Sequence, residues 1–131
     1  MKSLGKHFII EFHDCDPTVL DGRDTLEAHF LEAARLSGAT VIKPFFHQFS
    51  PHGVSGIIVI AESHFSIHTW PEYGYCAIDI FTCGEEIDNE SALRYLQKEL
   101  KAGHFTVMEI KRGLLDLPNG EVKYKPEMEK T

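Results

Sequence analysis

Along most of this chain, apolar and polar side chains alternate with a period near two. In two places the period lengthens to that of a helix. His7 to His13 (HFIIEFH) is aromatic and β-branched, which predicts a first strand ended by Cys15-Asp16-Pro17. Leu26, Phe30, Leu31, Ala33 and Ala34 then recur at helical spacing. They predict a helix from Asp24 or Thr25 to about Leu36, stopped by Ser37-Gly38. Thr40 to Phe49 reads as a second strand, bent at Pro44, and Pro51-His52-Gly53 as a turn. An antiparallel meander of three strands follows between Val54 and Cys83. Ile57 to Ala61 is apolar throughout, the pattern of a strand buried on both faces. Phe65 to Trp70 alternates, Pro71 to Gly74 is a turn cluster, and Tyr75 to Phe81 is the third strand. An acidic loop covers Gly84 to Asn89. A second helix opens at Asn89 or Ser91 and runs to about Lys101, with Leu93, Leu96 and Leu100 on its apolar side and Gly103 beyond it. Phe105 to Lys111 (FTVMEIK) is the last strand. Past Gly113 the composition turns polar, and residues 114–131 are expected to form a partly mobile tail.

The order β-α-β-β-β-β-α-β predicts an α+β fold. It is a two-layer sandwich in which two helices cover one face of a mostly antiparallel sheet. Residues 1–113 form its single domain. Strand aromatics (Phe45, Phe49, Phe65, Trp70) imply that the other face also meets something apolar, and a second copy of the chain is the economical cover.

Composition narrows the picture. A chain of 131 residues with 43% hydrophobic residues can build its own core without a disulfide or metal staple. A formal net charge of −7 with scattered lysines argues against nucleic acid or an anionic membrane as a bulk partner. Three cysteines, with no CxxC, suit a reducing compartment. The N-terminal apolar run is too short for a secretory signal, so the cytoplasm is the expected location.

Candidate chemistry gathers in the meander. A hydroxyl (Ser63), an imidazole (His68) and a thiol (Cys83) fall within 21 residues. Each also has an ordinary reading: a turn serine, a half-buried histidine, a small buried hydrophobe. Ser63 and His68 are five apart, so on an unbroken strand they face opposite sides. They cooperate only if Ser63 lies in the turn. His64 and His68 share a face, but four strand residues span about 13 Å, too far for one ion, so no metal is expected.

The run ESHFSIHTWPEYGY at 62–75 resembles the processing-site signature of the bacterial S-adenosylmethionine decarboxylases. The likeness extends to MKSLGKH at the start, SGAT at 37–40, FHQFSPHGVSG at 46–56 and IDIFTCGE at 78–85, and so covers residues 1–113. Members of that family cut themselves and turn an internal serine into a pyruvoyl cofactor. The resemblance implies cleavage between Glu62 and Ser63 into 1–62 and 63–131. The Ser63 hydroxyl attacks the Glu62 carbonyl and the amide becomes an ester. Loss of the serine α-proton expels the Glu62 carboxylate, and the dehydroalanine left behind hydrolyses to a pyruvoyl group and ammonia. On the matched positions His68 becomes the base for that α-proton, Ser55 a hydrogen-bonding support for the ester, and Cys83 the acid that protonates the substrate α-carbon. A thiol with an unperturbed pKa of about 8.5 is mostly protonated at neutral pH. The ketone made from Ser63 forms a Schiff base with the substrate amine and takes up the electrons that departing carbon dioxide leaves.

The implied substrate is S-adenosylmethionine, and the product is the aminopropyl donor for spermidine. Phe49 and Trp70 suit an adenine ring, and Glu72 suits the ribose hydroxyls; by residue type alone they are core and turn positions. The resemblance also implies a homodimer of processed protomers, two large and two small chains. Two rival readings are a pyruvoyl-dependent decarboxylase of arginine or ornithine on the same scaffold, and an unprocessed, non-catalytic relative. The intact signature argues against the second.

Overall fold

The computed structural model describes residues 2–116. Its strands are β1 (Lys2–His13), β2 (Val41–Gln48), β3 (Val54–Ile60), β4 (Ser63–Trp70), β5 (Tyr75–Cys83) and β6 (His104–Leu115). Its helices are α1 (Pro17–Leu20), α2 (Arg23–Ser37) and α3 (Asn89–Glu99). The strands form one six-stranded sheet, antiparallel at every pairing, in the order β2-β3-β4-β5-β1-β6. The fold is the expected α+β sandwich.

Strand alternation separates the two faces. Ile10, Phe12, Phe46, Ile58, Phe65, Ile67, Ile78 and Ile80 point one way and are buried. Leu26 and Phe30 of α2 and Leu96 of α3 close over them, making one core. Gly56 lets β2 and β3 pack here, because a Cβ at this position would sit 2.1 Å from the Phe46 ring. Gly38 ends α2 in the left-handed conformation, as its sequence position predicts.

Several boundaries differ from the sequence expectation. β1 begins at Lys2 rather than His7, α3 ends earlier than Lys101, and β6 continues through Gly113 to Leu115. The rest of the expected tail, 117–131, lies outside the described residues. The four-residue helix α1 has no counterpart in the sequence reading. Asp16 caps it, accepting from Thr18 N at 2.9 Å, and Pro17 opens it.

The expectation that Ile57 to Ala61 is buried on both faces does not hold for a single chain. β3 alternates, with Val54, Gly56, Ile58 and Ile60 buried, while Ile57 is 37% and Val59 42% exposed. Phe45, opposite Ile57 on β2, is 63% exposed. Phe65, by contrast, belongs to the helix-covered face. The sheet therefore keeps an open face with a large apolar area. Among the described residues no helix is long and apolar enough to cross a membrane.

Candidate active site

The tight connection between β3 and β4 sets the geometry around Ser63. Ile60 pairs with Ser63, so the turn consists of Ala61 and Glu62, and Ser63 is the first residue of β4 rather than a turn residue. Glu62 has φ 72°, a left-handed conformation that non-glycine residues seldom adopt. Ala61 N is held by Thr40 O at 2.9 Å. With the turn so fixed, the Ser63 hydroxyl donates to the carbonyl oxygen of Glu62, the peptide immediately before it. Ser63 Oγ also lies 3.4 Å from Cys83 Sγ. Gly5 faces Cys83 across the β1–β5 ladder, and a Cβ there would stand 3.0 Å from that sulfur. The hydroxyl, the carbonyl of the preceding peptide and the thiol thus meet at one end of the sheet.

His68 is not there. It pairs with Ser55 across β3 and β4, and His68 Nδ1 lies 2.7 Å from Ser55 Oγ. When Nδ1 carries the proton and donates to Ser55, Nε2 is the free acceptor. Five residues of extended strand put His68 about 17 Å from Ser63. The expectation that Ser63 and His68 converge through a turn position is therefore corrected: strand β4 begins at Ser63 and keeps them apart.

The substrate-binding candidates gather at the His68 end. Phe49 follows β2, is 48% exposed, and its N–H donates to Gly53 O at 2.8 Å. Trp70 ends β4, is 41% exposed and tilts against Tyr75 with ring centroids 5.4 Å apart. Glu72 sits in the helical turn after it and pairs with His52 at 3.2 Å. A cleft of about 520 Å³ opens beside this pair, lined by Pro17, Thr18, Asp21, His52, Pro71 and Glu72. The sequence candidates thus divide into two sets at opposite ends of the sheet. Ser63 and Cys83 form one. Ser55, His68, Phe49, Trp70 and Glu72 form the other.

A polar group not anticipated from sequence lies between them on the open face. Arg112 reaches His7 Nδ1 at 3.2 Å, and His7 Nε2 reaches Asp79 Oδ1 at 2.8 Å. Arginine only donates, so Nδ1 accepts and the Nε2–H donates to Asp79. Ser66 Oγ stands 3.4 Å from the other Asp79 oxygen. His64, beside this group, has its pKa lowered, chiefly by burial; Asp79 opposes the shift. Period-two spacing puts each of these on the open face, but only the strand register brings them together. Tyr75 hydrogen-bonds Glu11, and its pKa is raised to about 12, first by burial and then by that carboxylate.

The other two cysteines are structural in placement. Both are buried, and the Cys76 thiol is pushed up by the Cys15 sulfur beside it and by burial, so it stays protonated. Among the described residues no three His, Cys, Asp or Glu side chains converge as a metal set.

Comparison with known proteins adds an independent line. Residues 6–113 match the family model described as S-adenosylmethionine decarboxylase. The S-adenosylmethionine decarboxylase proenzyme of Thermotoga maritima is 53% identical over 116 residues, covering 88% of this chain and 89% of the relative. That of Acidithiobacillus ferrooxidans is 47% identical over 129 residues, covering 96% and 97%. The crystal structure of the adenosylmethionine decarboxylase from Aquifex aeolicus superposes with a TM-score of 0.83 at 29% identity, over 94% of this chain and 99% of that one.

Proposed function

The chain belongs to the S-adenosylmethionine decarboxylase family, and from that premise we propose that it is a self-cleaving proenzyme whose mature form decarboxylates S-adenosylmethionine. The product is the aminopropyl donor used for spermidine, and the free cysteines suit a cytoplasmic setting. The observation that carries the proposal is the Ser63 hydroxyl seated on the Glu62 carbonyl, with the Cys83 thiol 3.4 Å away.

Processing uses groups this chain supplies. Ser63 Oγ attacks the Glu62 carbonyl carbon. The C–N bond breaks, and an ester to Ser63 replaces the amide. The left-handed Glu62 backbone favours the step, since cleavage releases its constraint. A base then removes the Ser63 α-proton, the Cβ–Oγ bond breaks, and Glu62 leaves as a carboxylate. The new double bond at residue 63 hydrolyses to a pyruvoyl group with loss of ammonia. That group supplies an electrophilic carbonyl, an electron sink that no ordinary side chain offers. The residues around position 63 suit it: Cys83, 3.4 Å from Ser63 Oγ, would return a proton to a substrate carbon bound there. Phe49 and Trp70 offer flat faces to the adenine, and Glu72 offers a carboxylate to the ribose hydroxyls.

The base must come from elsewhere, because His68 of the same chain is about 17 Å from Ser63. The open sheet face, with Phe45, Ile57 and Val59 exposed, supports face-to-face pairing with a second copy. In such a dimer Ser55 and His68 of the partner subunit serve Ser63, with the partner's Phe49, Trp70 and Glu72 completing the substrate site. The mature assembly is then two 1–62 and two 63–131 chains.

Denaturing mass spectrometry tests the proposal. Wild-type protein resolves into 1–62 and a 63–131 piece with a blocked amino terminus, and Ser63→Ala stays whole. The mature protein releases carbon dioxide from S-adenosylmethionine and not from arginine or ornithine. A wild-type chain that remains intact refutes the assignment.

A further inference from the structure

The short helix α1 and the residue that ends it line the cleft beside His52 and Glu72. Asp21 follows α1, and a single one of its carboxylate oxygens, Oδ1, accepts from Gly53 N at 2.8 Å and Gln48 Nε2 at 3.0 Å. Gln48 Nε2 also donates to Gly53 O at 3.1 Å, and Phe49 N donates to the same oxygen at 2.8 Å. Both backbone groups of Gly53 are thereby tied, directly or through Gln48, to Asp21. Gly53 has φ 104°, a conformation other residues seldom adopt, so the loop end it forms is defined by that anchor. The loop it closes carries Phe49 at one end and His52 at the other, and His52 Nε2 holds Glu72 at 3.2 Å.

Asp21 is itself held in place from below. The buried Thr69 hydroxyl accepts from Val54 N at 2.9 Å and donates to Leu20 O at 2.8 Å. Thr69 therefore fixes the residue just before Asp21 to the strand that ends in Trp70. A connected path runs from β4 through Thr69, Leu20 and Asp21 to the loop bearing Phe49 and His52, and on to Glu72.

We propose that Asp21 is a positioning residue that sets the loop holding Phe49 and His52, and through His52 the Glu72 carboxylate, for the nucleoside end of the substrate. This rests on the reading of Phe49 and Glu72 as substrate contacts. The chemistry separates positioning from charge. Both bonds end on Oδ1, so an asparagine whose amide oxygen occupies that place accepts both. Alanine accepts neither and leaves Gly53 N unpaired. Phe49 and Glu72 address the nucleoside end of the substrate and not the carbon that loses carbon dioxide, so the loss appears in substrate binding and not in the chemical step.

The test uses mature enzyme whose cleavage has been verified by mass spectrometry, with S-adenosylmethionine as substrate. For Asp21→Ala, KM rises roughly tenfold, the scale of leaving the Gly53 N–H unpaired, while kcat stays within about twofold. Asp21→Asn restores KM to within about twofold of wild type. An unchanged KM in Asp21→Ala, a fall in kcat with KM unmoved, or an Asp21→Asn variant as impaired as the alanine overturns the proposal. Should Asp21→Ala fail to fold, Gln48→Met, which removes one of the two donors to Oδ1, is read in its place; KM rises about threefold, and an unchanged KM overturns the proposal. Glu72→Gln in the same assay addresses the underlying reading separately: an unchanged KM there removes Glu72 from the substrate site, whatever Asp21 does.

Discussion

Mixing two inactive chains decides whether the processing site is shared between subunits. The perturbation is co-expression of Ser63→Ala and His68→Ala variants carrying different tags. The magnitude follows from the strand. Ser63 and His68 lie on β4 five residues apart, about 17 Å at the rise of an extended chain. Proton transfer needs contact near 3 Å, roughly a sixth of that span. No rotamer of an imidazole on a paired strand closes the gap, so His68 cannot serve its own Ser63. In a dimer built across the open face, the Ser63 of a His68→Ala chain meets an intact His68 of the partner subunit. Equal expression with random pairing makes about half the dimers mixed, each with one complete site, so about half of the His68→Ala chains should be cleaved. The Ser63→Ala chains should all stay whole. Denaturing mass spectrometry of the separated tags reads both numbers, with each variant expressed alone as the control. Failure of the His68→Ala chains to cleave in the mixture, when wild type cleaves fully, refutes the shared site. Cleavage of His68→Ala alone at the wild-type rate refutes His68 as the base.

Three further outcomes are expected. Cys83→Ala should lower carbon dioxide release by about a hundredfold or more, the usual scale of a lost general acid; activity within a few-fold of wild type removes Cys83 from that role. Ile57→Asp places a carboxylate in the open apolar face beside Phe45. It should shift sedimentation toward the monomer and suppress cleavage together, and a dimer that persists and cleaves argues that this face is not the interface. His64 has a folded-state pKa lowered mainly by burial, so below its unfolded value the unfolded chain takes up a proton that the folded chain refuses. Stability should be full above about pH 6.5 and fall as pH drops toward the folded pKa; His64→Gln should flatten that slope in denaturant titrations, and an unaltered slope counts against it.

How far the sequence reached depended on whether a feature is recorded in periodicity or only in register. Strands and the two long helices follow from spacing, and their order fixes the sandwich. The helix PTVL is too short to show a period, although Asp16 and Pro17 are an N-cap and an N1 residue in plain view. The Ser63–Cys83 pair was legible because both lie at strand ends joined by one meander. The Arg112–His7–Asp79 chain was not, because its members come from three strands whose alignment no local pattern encodes. The sharpest disagreement concerns β3. Its unbroken Ile57-Ile58-Val59-Ile60 run reads as interior on both faces, yet Ile57 and Val59 are open in the chain by itself. The separation of His68 from Ser63 poses the same difficulty in a different form, since a base expected at the serine stands a strand length away. The second copy proposed for the open face would resolve both. It would bury the outer half of β3 and bring an imidazole to a hydroxyl that its own chain cannot serve. On that proposal the apolar run of β3 describes the interior of an assembly, since side chains that meet a partner are as apolar as those of a core.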